Sequence, residues 1–434
     1  MFARKRLDIG CTDLLAGLAA CAGAFDEEGP RSRIESLFAR EGARGGRSAA
    51  VACLSVRSGL DLYLRELALP KGSEILMSAL TIPDMWKIVE HHGLVPVPVD
   101  LDPRTLAPTP ERWIAASSPR TRAALFAHLF GARVPLEPLS EVARARGWIL
   151  FEDCAQSWTG DEDRGSPLAD VSMFSYGPIK TATALAGGVL VVRDAAILAR
   201  MRAGQAAYPL QSRRKYFTRI LKYAGLVTLT KRPLYGAFVR WCRATGKDHD
   251  QVIQGSVRGF AGGEFFDKIR HRPGAPLLAL LARRLESRDR WRVDGRVARA
   301  RRLLDRIAET PGVEGRIAVP GTQLAFHSHW VLTVLVDDPD AVVAELRASG
   351  FDATRAASLR SVPAPAGRPD LEPREAQRML ARTVYVPCYP EMSERAVDAM
   401  GAALARAIER TSPDLADVVL TPAARPALLS RSRR

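Results

Sequence analysis

The sequence predicts an α/β fold: a large domain on a mostly parallel sheet, followed by a smaller C-terminal α+β domain. Three observations carry that reading. The chain has 434 residues, more than one small core organises. From residue 48 to residue 192, short apolar runs alternate with amphipathic stretches, the strand–helix rhythm of a parallel sheet covered on both faces. Beyond residue 260 this gives way to a long charged helical pattern and two separate strand–helix pairs. A composition of 47% apolar and 26% charged residues is ordinary for a globular chain.

Taken in order, residues 1–47 read as an N-terminal helical segment. Residues 1–6 are basic, and the apolar run 14–20 before Cys21 imitates a lipoprotein signal. Asp8 and Asp13 interrupt that pattern, and an amphipathic helix accounts for it better. Residues 49–55 are a strand candidate between two helical patterns, the second carrying Leu60, Tyr63, Leu64 and Leu67 at helical spacing. Strands are expected at 74–77, 95–99, 123–128, 148–151, 171–175 and 188–192, with helices at 86–92, 109–117 and 136–146 among them. The large domain thus spans 48–260. Within it, 205–258 breaks the rhythm, with eleven Lys/Arg against two Asp and interleaved aromatics such as Tyr216, Phe217, Tyr223, Tyr235 and Trp241. Residues 261–410 hold a linking helix near 276–304 and the small domain, with strands expected at 329–336 and 383–386 and helices at 339–350 and 393–410. The Pro-, Ala- and Arg-rich stretch 411–434 is expected to be loose.

A formal charge of +15 favours anionic partners: nucleotide-linked small molecules, acidic lipid headgroups or nucleic acid. No nucleic-acid-binding motif accompanies the charge, so nucleic acid is not expected. The six cysteines are scattered, without a CxxC pair or clustered His, which excludes a zinc site or disulfide framework and suits a reducing cytosol. No apolar run approaches the roughly 20 residues of a membrane-spanning helix. Residues 216–224 and 234–243 read instead as amphipathic helices with aromatic and cationic faces, of the kind that lie on acidic membranes; a lid or dimer arm is the alternative.

The residues that carry chemistry are Asp153 and Lys180. Asp153 stands in Phe151-Glu152-Asp153-Cys154-Ala155-Gln156, just past an apolar strand, at the carboxyl end where parallel sheets build ligand sites. A carboxylate there keeps a heteroaromatic nitrogen protonated by charge pairing. Lys180 follows 27 residues later in Phe174-Ser175-Tyr176-Gly177-Pro178-Ile179-Lys180. In a loop between two apolar strands, burial lowers the pKa of its amine and makes it a nucleophile. Taken singly, an Asp after a strand is commonly a helix cap and a loop Lys is commonly solvated.

Together with Arg57-Ser58-Gly59, His128-Leu129-Phe130-Gly131, Gly187-Gly188 and Val386-Pro387-Cys388-Tyr389-Pro390, these segments resemble the DegT/DnrJ/EryC1/StrS sugar-aminotransferase family of fold-type I pyridoxal-phosphate enzymes. The resemblance runs from about residue 34 to 192 and returns weakly at 270–286 and 330–405. It implies a fold-type I aminotransferase-like architecture and pyridoxal 5'-phosphate as cofactor. Lys180 is then the catalytic residue, holding the cofactor as a Schiff base and relaying protons. Asp153 is implied to pair with the pyridine nitrogen, Gln156 to lie near the ring hydroxyl, and Ser175, Ser58 and Gly59 to bind the phosphate. Ile82 covers the ring face, and His128 supports a neighbouring loop. Three departures stand out. Leu60 occupies a family Thr position, and Ile82 replaces a stacking aromatic. No Asn matches the one that reaches the phosphate from a partner subunit, for which Arg270 or Arg272 is the candidate substitute.

The implied reaction moves an amino group from a donor such as glutamate to a keto sugar, nucleotide- or lipid-linked. Envelope polysaccharide, glycolipid or secondary-metabolite biosynthesis is the implied setting. A homodimer in the cytoplasm is expected, peripheral on the inner membrane face if 205–258 binds lipid. Two rivals remain at this point. One is another pyridoxal-phosphate reaction, a dehydration or a non-sugar amino transfer, motivated by Leu60 and Ile82. The other is a non-catalytic membrane-associated binding protein on the same fold, motivated by the basic insertion.

Overall fold

Alternation within each strand decides the architecture. In the computed structural model, which describes residues 1–23, 26–41, 47–160, 163–257, 264–287, 290–310, 312–313, 315–355 and 358–411, eight strands form one sheet. They are β1 (Arg40–Glu41), β2 (Arg47–Cys53), β3 (Glu74–Ser78), β4 (Val95–Val99), β5 (Thr121–Ala127), β6 (Ile149–Asp153), β7 (Val171–Ser175) and β8 (Gly188–Val192). Their order is β1-β2-β8-β7-β6-β5-β3-β4. The run from β4 to β7 is parallel, whereas β8 lies antiparallel to both β7 and β2.

Successive side chains point to opposite faces, and here both sets are apolar, so both faces must be covered. Ile75, Met77, Leu125, Phe151 and Leu190 join one core with Leu60, Tyr63, Ile88 and Met201 from the Val56–Leu67, Pro83–His91 and Ala195–Ala206 helices. The opposite set, Leu76, Val97, Ala124, Phe126 and Leu150, meets Trp113 and Leu139 from the Pro110–Ala116 and Glu137–Arg146 helices. Further along that face, Ala50, Ala52, Phe174, Val189 and Val191 are covered by the Cys11–Ala22, Glu28–Phe38, Arg213–Leu229 and Ala275–Glu286 helices. A second core belongs to the C-terminal part. There β9 (Leu332–Leu335) pairs antiparallel with β10 (Thr383–Val386) beneath the Arg290–Ala308, Pro339–Ala348 and Glu394–Thr411 helices.

Several elements differ from the sequence reading. The linking helix is two helices, Ala275–Glu286 and Arg290–Ala308, because Ser287 turns extended after the first. The strand expected at 329–336 is confined to Leu332–Leu335: the segment before it hooks onto a loop, with Ser328 N–H donating to Gly131 O at 2.7 Å. The Ala195–Ala206 helix, capped by Asp194, and the Arg374–Arg382 helix have no counterpart in the sequence reading. Residues 412–434, expected to be loose, lie outside the described residues.

The N-terminal residues run extended across the molecule. Phe2 bridges to Phe351, Asp8 Oδ2 accepts the Ala182 N–H at 2.7 Å, and Asp13 pairs with Arg283 and Arg284. The basic insertion forms the Arg213–Leu229, Arg232–Ala244 and His249–Val257 helices, longer than the two foreseen. Tyr216, Ile220 and Tyr223 turn into the core, and Tyr235 and Val239 meet Ala3. A fully buried carboxylate, Asp352, ties these parts together. It accepts from Arg4 Nε at 2.8 Å, His249 Nε2 at 2.9 Å and Tyr235 Oη at 2.5 Å. Burial alone would raise its pKa; those partners outweigh it and hold the group at about 2.

Gly59 shows how closely the Val56–Leu67 helix sits on the sheet, since a Cβ there would lie 2.2 Å from Leu190 Cδ1. Gly59→Ala is therefore expected to destabilise the fold by about 1–3 kcal/mol, as overpacked cores do. Urea denaturation of the two proteins checks this, and an unchanged midpoint would show that helix and strand separate freely.

Candidate active site

The carboxyl rim of the parallel strands gathers most of the residues singled out in the sequence. Asp153 ends β6 and Ser175 ends β7, while Gln156 and Lys180 lie in the loops beyond those strands. Ser58 lies in the first turn of the helix after β2, and Ile82 caps the helix after β3. This is the crevice where open α/β sheets hold ligands.

Asp153 is buried, Lys180 is partly buried, and each feels the other's charge. Burial lowers the Lys180 amine to about 8, against the pull of Asp153, with Arg57 lowering it further. For Asp153, burial raises the carboxyl above its ordinary range, while the Ala155 N–H on Oδ1 (2.8 Å) and Lys180 oppose that shift. The Lys180 loop is fastened from several sides. Thr183 Oγ1 donates to Gly177 O at 2.7 Å, and Trp330 Nε1 donates to Ile179 O at 3.0 Å. The Lys180 Nζ lies 4.1 Å from the centre of the Trp330 ring.

The neighbours of Asp153 have other work. Glu152 points to the opposite face of β6, where it accepts from Ser172 Oγ (2.7 Å), Ser166 N–H (2.7 Å) and His128 Nε2 (3.0 Å). Burial would raise Glu152; these bonds outweigh it and hold it at about 2. His128 Nδ1 accepts the Val134 N–H, so both ring nitrogens are taken and the residue braces its loop, as the resemblance implied. Gln156 Oε1 accepts the Phe130 N–H at 2.9 Å. Gly131, at φ +100, lets the same loop meet Trp330, whose backbone N would lie 2.4 Å from a Cβ at that position.

Two details revise the expected phosphate site. The Gly59 N–H is bonded to Ser55 O and the Ser58 N–H to the capping Ser55 Oγ, so neither amide points outward. Ser58 instead offers its hydroxyl, 2.9 Å from Ser55 Oγ. Arg270 forks onto buried Asp61 with two 2.9 Å bonds, which removes it as the substitute for the partner's Asn. Three residues near the site had no assigned role. Arg57 pairs with Asp84 at 2.6 Å beside Ile82, and Trp330 and Lys5 stand beside Lys180. The only sequence signal for Arg57 was its place in the Arg-Ser-Gly motif; nothing marked Lys5, which arrives from 175 positions away.

The donor set suits pyridoxal phosphate. Among the described residues, Asp153 Oδ2, Ser175 Oγ and Lys180 Nζ have no hydrogen-bond partner, which leaves an acid, a hydroxyl and an amine available along one rim. An aliphatic side chain, Ile82, borders it.

The architecture is that of fold-type I aminotransferases. It aligns with the crystal structure of the aminotransferase TlmJ from Streptoalloteichus hindustanus at a TM-score of 0.67, with 19% identity, over 94% of this chain and 99% of that one. Residues 26–227 match the model of the DegT/DnrJ/EryC1/StrS aminotransferase family. The chain is 34% identical over 198 residues to the L-glutamine:2-deoxy-scyllo-inosose aminotransferase of Streptoalloteichus tenebrarius, covering 43% of this chain and 46% of that protein. GDP-perosamine synthase of Caulobacter vibrioides is 33% identical over 156 residues, covering 35% and 42%. The matched segment thus spans less than half the length of either curated relative.

Acylation of the cofactor-free protein by an amine-directed reagent tests the Lys180 environment. Half-maximal labelling of Lys180 is expected near pH 8, against about 10.4 for a solvated lysine. Because the Asp153 charge raises the Lys180 pKa, Asp153→Asn is expected to move the midpoint lower still. Peptide mapping across a pH series reads both, and an upward move in the variant contradicts the arrangement.

Proposed function

We propose that the chain is a pyridoxal-phosphate-dependent aminotransferase that delivers an amino group from a donor such as glutamate to a keto sugar. The observation that carries this is that the buried Asp153 carboxylate and the Lys180 amine meet at one sheet rim, close enough for each to shift the other's protonation. When bound, pyridoxal phosphate supplies an electron sink for negative charge developing beside the amine-bearing carbon. Asp153 keeps the ring nitrogen protonated through its own charge, undiluted by water in a buried site. Lys180 is the attachment point and the base that carries a proton at the reacting carbon; a pKa near 8 leaves a usable neutral fraction at physiological pH. Ser175 and the Ser58 hydroxyl hold the phosphate, and Gln156 sets the Phe130 loop beside the ring hydroxyl. Ile82 and Trp330 keep water from the reacting atoms. A homodimer working in the cytoplasm is part of the proposal.

Borohydride reduction of the loaded protein followed by peptide mapping is expected to place a pyridoxyl group on Lys180. Lys180→Met should abolish turnover of keto-sugar nucleotides with glutamate, and Asp153→Asn should lower kcat about 100-fold or more. A loaded protein labelled elsewhere, or a Lys180→Met variant that still turns over, overturns the assignment. Product analysis separates amino transfer from dehydration.

A second reading concerns the insertion: we infer that it rests on an anionic membrane surface. Phe217, Leu221, Leu234 and Trp241 are large, apolar and exposed on the Arg213–Leu229 and Arg232–Ala244 helices. Exposed Arg214, Lys215, Lys222, Lys231, Arg240 and Arg243 accompany them, and none of these cations has a carboxylate partner among the described residues. No described helix is long and apolar enough to cross a membrane. With each surface cation contributing about 1 kcal/mol on anionic lipid, co-sedimentation with phosphatidylglycerol vesicles is expected, weakening with salt and in Leu221→Ser/Trp241→Ser. Equal binding to neutral phosphatidylcholine vesicles, or a dimer that dissociates in the double variant, would reject the lipid reading.

A further inference from the structure

Beside Lys180 the protein gathers more basic side chains than acids to pair with them. Lys5 Nζ lies 3.9 Å from the centre of the Trp330 ring, the ring that Lys180 also contacts, and donates to Trp330 O at 3.2 Å. Arg296, reaching in from the Arg290–Ala308 helix, is 7% exposed. Its Nε donates to Ser328 O at 2.9 Å, whereas its Nη2 is buried without a hydrogen-bond partner. His329, between Ser328 and Trp330, likewise has a buried Nδ1 without a partner. Lys5 senses both of the other basic groups: burial first, then Arg296 and Lys180, hold its amine well below its ordinary range.

The carboxylates nearby do not balance this group. Asp153 faces Lys180. Asp8 is the acid that Lys5 and Arg296 feel, but it already accepts the Ala182 N–H and pairs with Arg292 at 3.1 Å and Arg284 at 3.6 Å. With Lys180 taken up as proposed above, Lys5 and Arg296 remain as basic groups without acids of their own. A buried guanidinium nitrogen without an acceptor is unfavourable unless a ligand supplies one.

We propose that Lys5 and the Arg296 Nη2, with His329 beside them, form an anion subsite that takes a carboxylate or phosphate oxygen of the substrate next to Lys180. The inference rests on the aminotransferase reading for what the anion belongs to. Two sources share this chemistry: the carboxylate of an amino-acid donor and the phosphate of a nucleotide-linked sugar. Lys5 is the distinguishing element, because it comes from the N-terminal extended segment and fixes that segment's place in the site.

Calorimetric titration of the full-length, cofactor-loaded protein with glutarate and, separately, with UDP tests this. Lys5→Met is expected to weaken one probe about tenfold or more, while Lys5→Arg stays within about threefold of the unaltered protein, as a charge-assisted contact requires. Loss confined to glutarate assigns the subsite to the donor; loss confined to UDP assigns it to the sugar nucleotide. Unchanged affinity for both probes in Lys5→Met, or no binding of either to the unaltered protein, overturns the proposal. Visible absorbance of the cofactor and the thermal midpoint are read on the same samples. A colourless unaltered protein counts against the aminotransferase reading alone, since the titrations still report on Lys5. A coloured, folded Lys5→Met protein with intact affinities counts against the subsite alone.

Discussion

An amine and a carboxylate shut in one crevice must regulate each other's protonation, and the rest of this site is arranged around that pair. Without Asp153, burial would drive Lys180 further from its charged form; without Lys180, the Asp153 carboxyl would rise further. Strand alternation keeps a second acid out of the balance. Glu152, one residue earlier, turns to the other face of β6, where Ser172, Ser166 and His128 hold its charge. One short strand therefore carries two carboxylates back to back. Only Asp153 is left with an oxygen unoccupied by protein groups among the described residues.

Rigidity around the pair comes from loops that hold one another. The His128–Gly131 turn is braced by Glu152 and Gln156, and it receives the Ser328 hook that presents Trp330. Trp330 in turn holds the Ile179 carbonyl, next to Lys180. A disturbance anywhere on this circuit reaches the amine through three or four hydrogen bonds. The Val56–Leu67 helix, drawn against β8 by Gly59, sets the opposite wall.

Much of this was legible in the chain. The βα rhythm gave the parallel part of the sheet because buried strands and amphipathic helices have distinct periods. Asp153 and Lys180 stood out because the motif residues around them are local. What escaped depends on contacts distant in sequence. Whether the Gly59 amide faces outward depends on the Ser55 cap and on Leu190, and the use of Arg270 depends on Asp61, more than two hundred residues earlier. The strand after Trp330 is shorter than its apolar run suggests, because residues 329–331 look the same whether they pair with β10 or follow the hook onto Gly131. Lys5 resembled any basic N-terminal residue until the fold carried it to the crevice.

Asp352 ties the helices of residues 213–257 to the rest of the molecule. Its charge is met by Arg4 from the first residues and by Tyr235 and His249 from the insertion, while its backbone N–H donates to Phe2 O. Pruning the insertion back to a simple connection would strand a fully enclosed anion and loosen the leading segment that ends at Lys5 and Asp8.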